Sequence, residues 1–294
     1  MPTLYVAATP IGNLSDVSPR LLETLQSVSL IAAEDTRVTG NLLRFFEIKK
    51  PMTSLHRHNE KTKTEYIVSR MQSEQIDVAL VTDAGTPAIS DPGHLLVALA
   101  HRNKIQVMAV AGPSAVAAAL SVSGFDASEF AFYGFSPREN KDLVTKLRLT
   151  ANGPKVAVFY ESPHRVIGFI ETVADVFPKC EVCLCRELTK LHEQTIRGNI
   201  GEALNMLRAN PMVEKGEYCV VLNLSSCDIP EPVADKVSVE ARILELLLQD
   251  VPMSEALETL RQSGIRRNEV KRAAIHARLW LDRMAADKND NSDD

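Results

Sequence analysis

Four short apolar runs in the first 110 residues, at 4–8, 29–33, 77–82 and 106–110, are separated by stretches of helical periodicity. Strands that alternate with helices build a mainly parallel sheet covered by helices. Each run ends in a loop of small and polar residues. These are Thr9-Pro10-Ile11-Gly12-Asn13-Leu14, Glu34-Asp35-Thr36-Arg37, the stretch Asp83-Ala84-Gly85-Thr86-Pro87-Ala88-Ile89-Ser90-Asp91-Pro92-Gly93, and Gly112-Pro113-Ser114-Ala115. In a parallel sheet such loops gather along one edge, the crevice where open α/β sheets bind ligands. The pattern predicts a site for a nucleoside-like ligand there.

The intervening helices are signalled by their caps. Ser18-Pro19 is an N-cap and first-turn pair for a helix through 26, Asn59 or Glu60 opens one to about 72, and Pro92-Gly93 precedes one through 102. A second α/β unit follows, with strands near 130–133, 155–160, 181–186 and 218–224 and helices near 141–149, 164–176 and 200–208. Ile229-Pro230-Glu231-Pro232 reads as a linker, because paired prolines favour an extended chain. Three helices are expected beyond it, at 239–249, 254–262 and 268–286. In the last, Val270, Ala273, Ala274, Ala277, Trp280, Leu281 and Met284 share one apolar face. The breaks predict domains at 1–117, 118–228 and 229–286, then an acidic disordered tail at 287–294.

Net charge is −5, but it is unevenly placed. Residues 265–283 hold six Arg or Lys against Glu269 and Asp282. That stretch resembles a helix-turn-helix with a phosphate-facing cluster of Arg266, Arg267, Lys271 and Arg272. A small bundle with a solvated basic face fits it equally well.

Several classes are disfavoured. No G-x-G-x-x-G or G-x-x-x-x-G-K-[ST] pattern occurs, so neither an ordinary dinucleotide fold nor a phosphate-binding loop is supported. Five cysteines, an odd number with Cys180, Cys183 and Cys185 crowded together, do not form a disulfide framework. They alternate along a strand without completing a metal-ligand set, so we expect core thiols and no metal. The first residues lack an export signal and no apolar run is long enough for a membrane span, so the expected setting is cytoplasmic with no membrane.

Taken in order, the four loops together with His58-Asn59-Glu60, Phe159-Tyr160-Glu161-Ser162-Pro163-His164-Arg165 and Arg186-Glu187-Leu188-Thr189-Lys190 closely resemble one family over residues 4–224. It is the tetrapyrrole-methylase-like class of S-adenosylmethionine-dependent methyltransferases, in its branch acting on small-subunit ribosomal RNA. Gly264-Ile265-Arg266-Arg267-Asn268 resembles the turn of that branch's accessory helices more loosely. The resemblance implies two α/β domains with S-adenosylmethionine in the cleft between them, plus a small helical domain. It also implies a homodimer that 2′-O-methylates a cytidine ribose in the decoding region of 16S rRNA, within the small subunit.

Residue by residue, the cofactor is expected on Pro10, Asp83, Gly85, Ile89, Ser114 and Ala115, with Tyr160, Leu188 and Gly216 from the second domain. Ile89 and Tyr160 would pack against adenine. The hydroxyl proton is expected to be accepted by Asp35, with Glu34 as alternative, or by Glu161 or Lys190 beside Glu187. Arg37 and Arg165 would be phosphate clamps, since guanidinium stays protonated. Two rivals remain: a sister methyltransferase acting on a corrinoid precursor or a diphthine-type protein substrate, and a non-enzymatic RNA-binding protein. The second leaves the strand-end loops unexplained.

Overall fold

The computed structural model describes residues 1–227 and 238–290, with side chains through 281. The linker expected at 229–232, the Asp282, Arg283 and Met284 side chains and residues 291–294 lie outside the described residues. The chain divides into two units, Met1–Asp228 and Ile229–Asp294.

The first unit holds two five-stranded sheets. The first sheet is built from β1 (Thr3–Ala7), β2 (Leu30–Ala33), β3 (Met52–Ser54), β4 (Val78–Val81) and β5 (Gln106–Val110), in the order β3-β2-β4-β1-β5. All its pairings are parallel. Around it lie α1 (Pro19–Ser27), α2 (Thr36–Phe45), α3 (Glu60–Glu74) and α4 (His94–Arg102). Every residue of β2 and β4 is buried, as a parallel sheet covered on both faces requires. Leu30, Ala32, Val78 and Leu80 join one core with Ile67, Met71 and Leu96; Ile31, Ala33, Ala79 and Val81 join another with Leu21, Leu25 and Leu43.

The second sheet comprises β6 (Phe130–Phe135), β7 (Val156–Glu161), β8 (Glu181–Arg186), β9 (Gln194–Asn199) and β10 (Tyr218–Asn223), in the order β6-β7-β10-β8-β9. The β6–β7 pairing is parallel and the other three are antiparallel. Core residues of α6 (Asn140–Thr150), α7 (Val166–Val176) and α8 (Ile200–Ala209) pack with Phe159, Val182, Leu184 and Val220. On another core, α5 (Ala115–Ser123) brings Val116, Ala119 and Leu120 against Val156, Val158, Cys183, Cys185, Cys219 and Val221. The crowded cysteines are therefore core thiols, and no disulfide joins them.

The expected boundary at 117/118 falls inside α5. That helix carries a nearly all-apolar sequence from the last loop of the first sheet onto the second sheet, so no break in composition marks the passage.

The second unit contains α9 (Val239–Leu248), α10 (Met253–Gln262) and α11 (Arg267–Asp290). Ile243, Leu260, Val270, Ala273 and Ala277 form its core. Gly264, at φ +88°, supplies the left-handed turn between α10 and α11. Two expectations are corrected. α11 runs through Asp290 instead of ending at 286, since Met284, Ala285, Ala286 and Lys288 are good helix formers. Trp280 and Leu281 are 62% and 39% exposed and do not complete the buried face. Among the described residues no helix is long and apolar enough to cross a membrane.

Candidate active site

The loops after β1, β4 and β5 are fastened to each other. Thr9 N donates to Gly85 O at 2.9 Å and Gly85 N to Thr9 O at 3.0 Å. Gly85 sits at φ +85° with Ile11 packed against it, a conformation open to glycine at no steric cost. Thr9 Oγ1 donates to Thr82 O at 3.1 Å and Thr86 Oγ1 to Pro113 O at 3.3 Å. At the far end of the long loop, the buried Glu60 carboxylate accepts from Gly93 N at 2.7 Å and Leu95 N at 3.2 Å. A carboxylate there satisfies free amides at the start of α4 and complements its dipole. Between these anchors Ala88 and Ser90 hold φ +65° and +64°, a strained conformation for non-glycine residues that clusters at functional sites.

Where these strand ends meet those of the second sheet lies a cavity of about 440 Å3. One wall carries Ile11, Glu34, Thr82 to Thr86, Ile89, Asp91 and Ser114; the other carries Phe135, Tyr160 to Pro163, Cys185, Leu188, Lys190 and Glu217 to Cys219. Beside the cavity the loop after β1 meets the loop after β8: a Cβ on Gly12 would fall 2.4 Å from Lys190 Cγ, and Asn13 N donates to Thr189 Oγ1 at 3.1 Å.

The first wall is acidic. Glu34 accepts from Thr82 Oγ1, and Asp83 Oδ1 accepts from Asp35 N at 3.0 Å. Burial, and then the Glu34 charge, push Asp91 up to about 6, and the same two causes raise Asp83. Asp35 behaves oppositely. It caps α2 and is gripped by the Arg37 guanidinium at 2.6 Å, whose hydrogen bonds hold it down at about 2.

On the second wall Glu161 is buried and accepts from Ser136 Oγ and, at 2.8 Å, from Ser162 N. Arg165 lies 3.5 Å from it and donates to Ser136 O at 3.1 Å and Pro137 O at 2.6 Å. Lys190 Nζ donates to Glu187 Oε1 and Glu217 Oε2, each at 2.9 Å. Burial opposes the Lys190 charge, yet these two carboxylates raise its pKa overall. Tyr160 makes edge contacts with Phe132 and Phe135, and burial raises its hydroxyl.

Of the residues expected from sequence, the cavity brings together Glu34, Asp83, Gly85, Ile89, Ser114, Ala115, Tyr160, Glu161, Leu188 and Lys190. Pro10, Asp35, Arg37, Arg165 and Gly216 are not on its lining. Gly216 instead makes room for Glu187, whose Cγ would be 2.5 Å from an added Cβ. Arg266, Arg267, Lys271 and Arg272 belong to the second unit and are exposed. The sequence reading missed Thr82, Asp91, Phe135, Glu217 and Cys219 as lining residues. Asp91 lay in a loop already singled out; nothing in the local pattern marks Phe135 or Glu217.

Residues 3–204 match the family of Tetrapyrrole (Corrin/Porphyrin) Methylases. The solved structure of diphthine synthase aligns with a TM-score of 0.57 at 14% identity, over 76% of this chain and 90% of that one, a likeness of fold. The ribosomal RNA small subunit methyltransferase I of Xylella fastidiosa is 40% identical over 255 residues, 86% of this chain and 92% of that protein. Its namesake from Pseudomonas aeruginosa is 39% identical over 277 residues, 93% of this chain and 96% of that protein. The chain belongs to the tetrapyrrole methylase family, in the branch whose curated members are named ribosomal RNA small subunit methyltransferase I, and is a methyltransferase.

Proposed function

We propose that this protein transfers a methyl group from S-adenosylmethionine to the 2′-hydroxyl of a cytidine in the decoding region of 16S rRNA. The observation that carries the reading is the cavity, whose 440 Å3 suits one small ligand. Its two walls also fit a nucleoside-bearing cation. Glu34, Asp83 and Asp91 offer negative charge, while Ala115, Tyr160, Leu188 and Cys219 offer an apolar face for a purine. The Ser114 amide and the second lone pair of the Gly85 carbonyl would fix its orientation.

The bound donor supplies a methyl group already activated on a sulfonium. What remains for the chain is alignment, which is worth roughly 7–11 kcal/mol in well-oriented reactions, and custody of one proton. Asp91 is the acceptor we assign. It lines the cavity, and at about 6 it is ionised at neutral pH yet binds a proton more readily than an ordinary carboxylate. Asp35, held at about 2 by Arg37, is a poor base and stands off the lining. Lys190 stays protonated between Glu187 and Glu217 and presents a fixed positive charge. Glu161, engaged by Ser136 and Ser162, holds the second wall in shape.

The exposed Arg266, Arg267, Lys271 and Arg272 support an rRNA partner, because lysine and arginine supply the phosphate contacts that dominate such binding. The family resemblance supports a cytoplasmic homodimer. The test is transfer of labelled methyl to small ribosomal subunits, naked rRNA and a corrinoid mixture. Label on the subunits or the rRNA is expected; label on the corrinoids alone would overturn the reading.

A further inference from the structure

Two large apolar side chains stand open at the cavity, one from each wall: Ile89, 46% exposed, and Phe135, 61% exposed. Both sit on irregular backbone. Ile89 lies between the left-handed Ala88 and Ser90, and Phe135 follows Gly134, at φ +67°, where the register of β6 against β7 shifts. The two segments touch, since a Cβ on Gly134 would be 3.0 Å from Ser90 Oγ. The Phe135 ring is braced edge-on by Tyr160, with centroids 5.6 Å apart. Exposed apolar groups held this firmly beside a cavity mark a surface completed by a ligand.

What brackets the pair indicates the ligand. The Arg57 guanidinium donates to Ser90 O, one residue from Ile89, and that of Arg165 donates to Ser136 O, one residue from Phe135. Arg57 is exposed on a turn held by Asn59, whose Oδ1 accepts from His56 N at 2.8 Å and whose Nδ2 donates to Ser54 O at 3.2 Å. An aromatic face with guanidinium groups at its edges is what an unstacked base and its phosphate require. A cavity of 440 Å3 cannot admit a duplex, so a base reaching it must leave its stack.

We propose, resting on the rRNA reading above, that Phe135 and Ile89 form the slot that receives the base of the methylated nucleotide, with Arg57 meeting the adjoining phosphate. The slot lies two residues from Asp91, the proton acceptor assigned above, and places Ile89 on the substrate instead of the cofactor's adenine.

The test uses F135A, F135W and R57A in the full chain, with unmethylated small ribosomal subunits as substrate and S-adenosylmethionine affinity measured separately by calorimetry. F135A is expected to lower kcat/KM for subunits about 10–100-fold and to leave cofactor affinity and melting temperature unchanged, while F135W restores most of the activity. R57A is expected to weaken subunit binding and to reduce the steepness of its salt dependence by about one. Equal loss of cofactor affinity in F135A would assign Phe135 to adenine, and unchanged kcat/KM would remove it from recognition; either result overturns the proposal. Failure of the rRNA reading shows separately, as no transfer to subunits by the unaltered protein, and takes the slot with it.

Discussion

Replacing Asp91 with asparagine should move stability and activity in opposite directions. In the folded protein burial and the Glu34 charge raise this carboxyl from 3.8 to about 6. Each unit of pKa corresponds to about 1.4 kcal/mol, so the interval sets a ceiling of about 3 kcal/mol. Partial exposure screens it, and about 1 kcal/mol is the realistic share. Because the folded pKa is the higher one, folding favours the protonated form. The stability it contributes is complete below pH 3.8 and is lost as pH rises through about 6. The amide introduced by D91N would stay neutral throughout, so the variant should be more stable than the parent at pH 8 by about 1 kcal/mol, roughly 2–4 °C in Tm. The advantage should shrink toward zero by pH 4. Methyl transfer, having lost its proton acceptor, should fall by about 10²–10⁴-fold, and the parent's rate should decline as pH drops below about 6. Denaturant melts at several pH values read the first effect, and single-turnover methylation reads the second. A D91N protein less stable at pH 8, a pH-independent gap, or an undiminished rate would refute the reasoning.

Other consequences can be checked in the same preparations. Glu161→Ala removes the acceptor of Ser136 and Ser162 and the partner of Arg165, and should cost about 3 kcal/mol in urea melts, whereas Glu161→Gln should cost clearly less. Gly216→Ala puts a Cβ 2.5 Å from Glu187 at φ +87°; a loss of about 1–2 kcal/mol is expected, and none would mean that Glu187 moves freely. Cys180, Cys183, Cys185 and Cys219 are buried, and Cys219 is pushed by burial to about 12. A bulky thiol reagent should therefore modify Cys227 alone in the folded protein and all five cysteines after denaturation.

The parts of this fold that show in the sequence are the strands buried along all or nearly all of their length, which read as continuous apolar runs. β2, β4 and β10 carry runs such as Leu30-Ile31-Ala32-Ala33 and Tyr218-Cys219-Val220-Val221-Leu222, and their positions follow directly. β9, Gln194–Asn199, was missed because Ile196 is its one buried residue on a polar sheet edge. β3, Met52–Ser54, is three half-buried residues whose pairing with β2 no local pattern announces. The helix α2 is obscured in the sequence by the weak helix formers Thr36, Val38, Thr39, Gly40 and Asn41. The site shows the same division. Loops after parallel strands must share an edge, so Asp83, Gly85 and Ser114 could be grouped from sequence. Which groups face inward depends on partners far along the chain. Asp35 turns to its neighbour Arg37, whereas Asp91, eight residues past Asp83, lines the cavity near Glu34. Phe135 faces the cavity because Gly134 breaks the register of β6, a consequence of pairing with β7 that no six-residue window contains.

The most direct experiment is to incubate unmethylated small ribosomal subunits with the protein and labelled S-adenosylmethionine, then map the label along 16S rRNA by resistance to alkaline cleavage. A 2′-O-methyl group leaves no hydroxyl to attack the neighbouring phosphate, so the account predicts one protected linkage, at a cytidine of the decoding region. Label on a base, which leaves every linkage cleavable, or no transfer to RNA by a protein that binds S-adenosylmethionine, would contradict it.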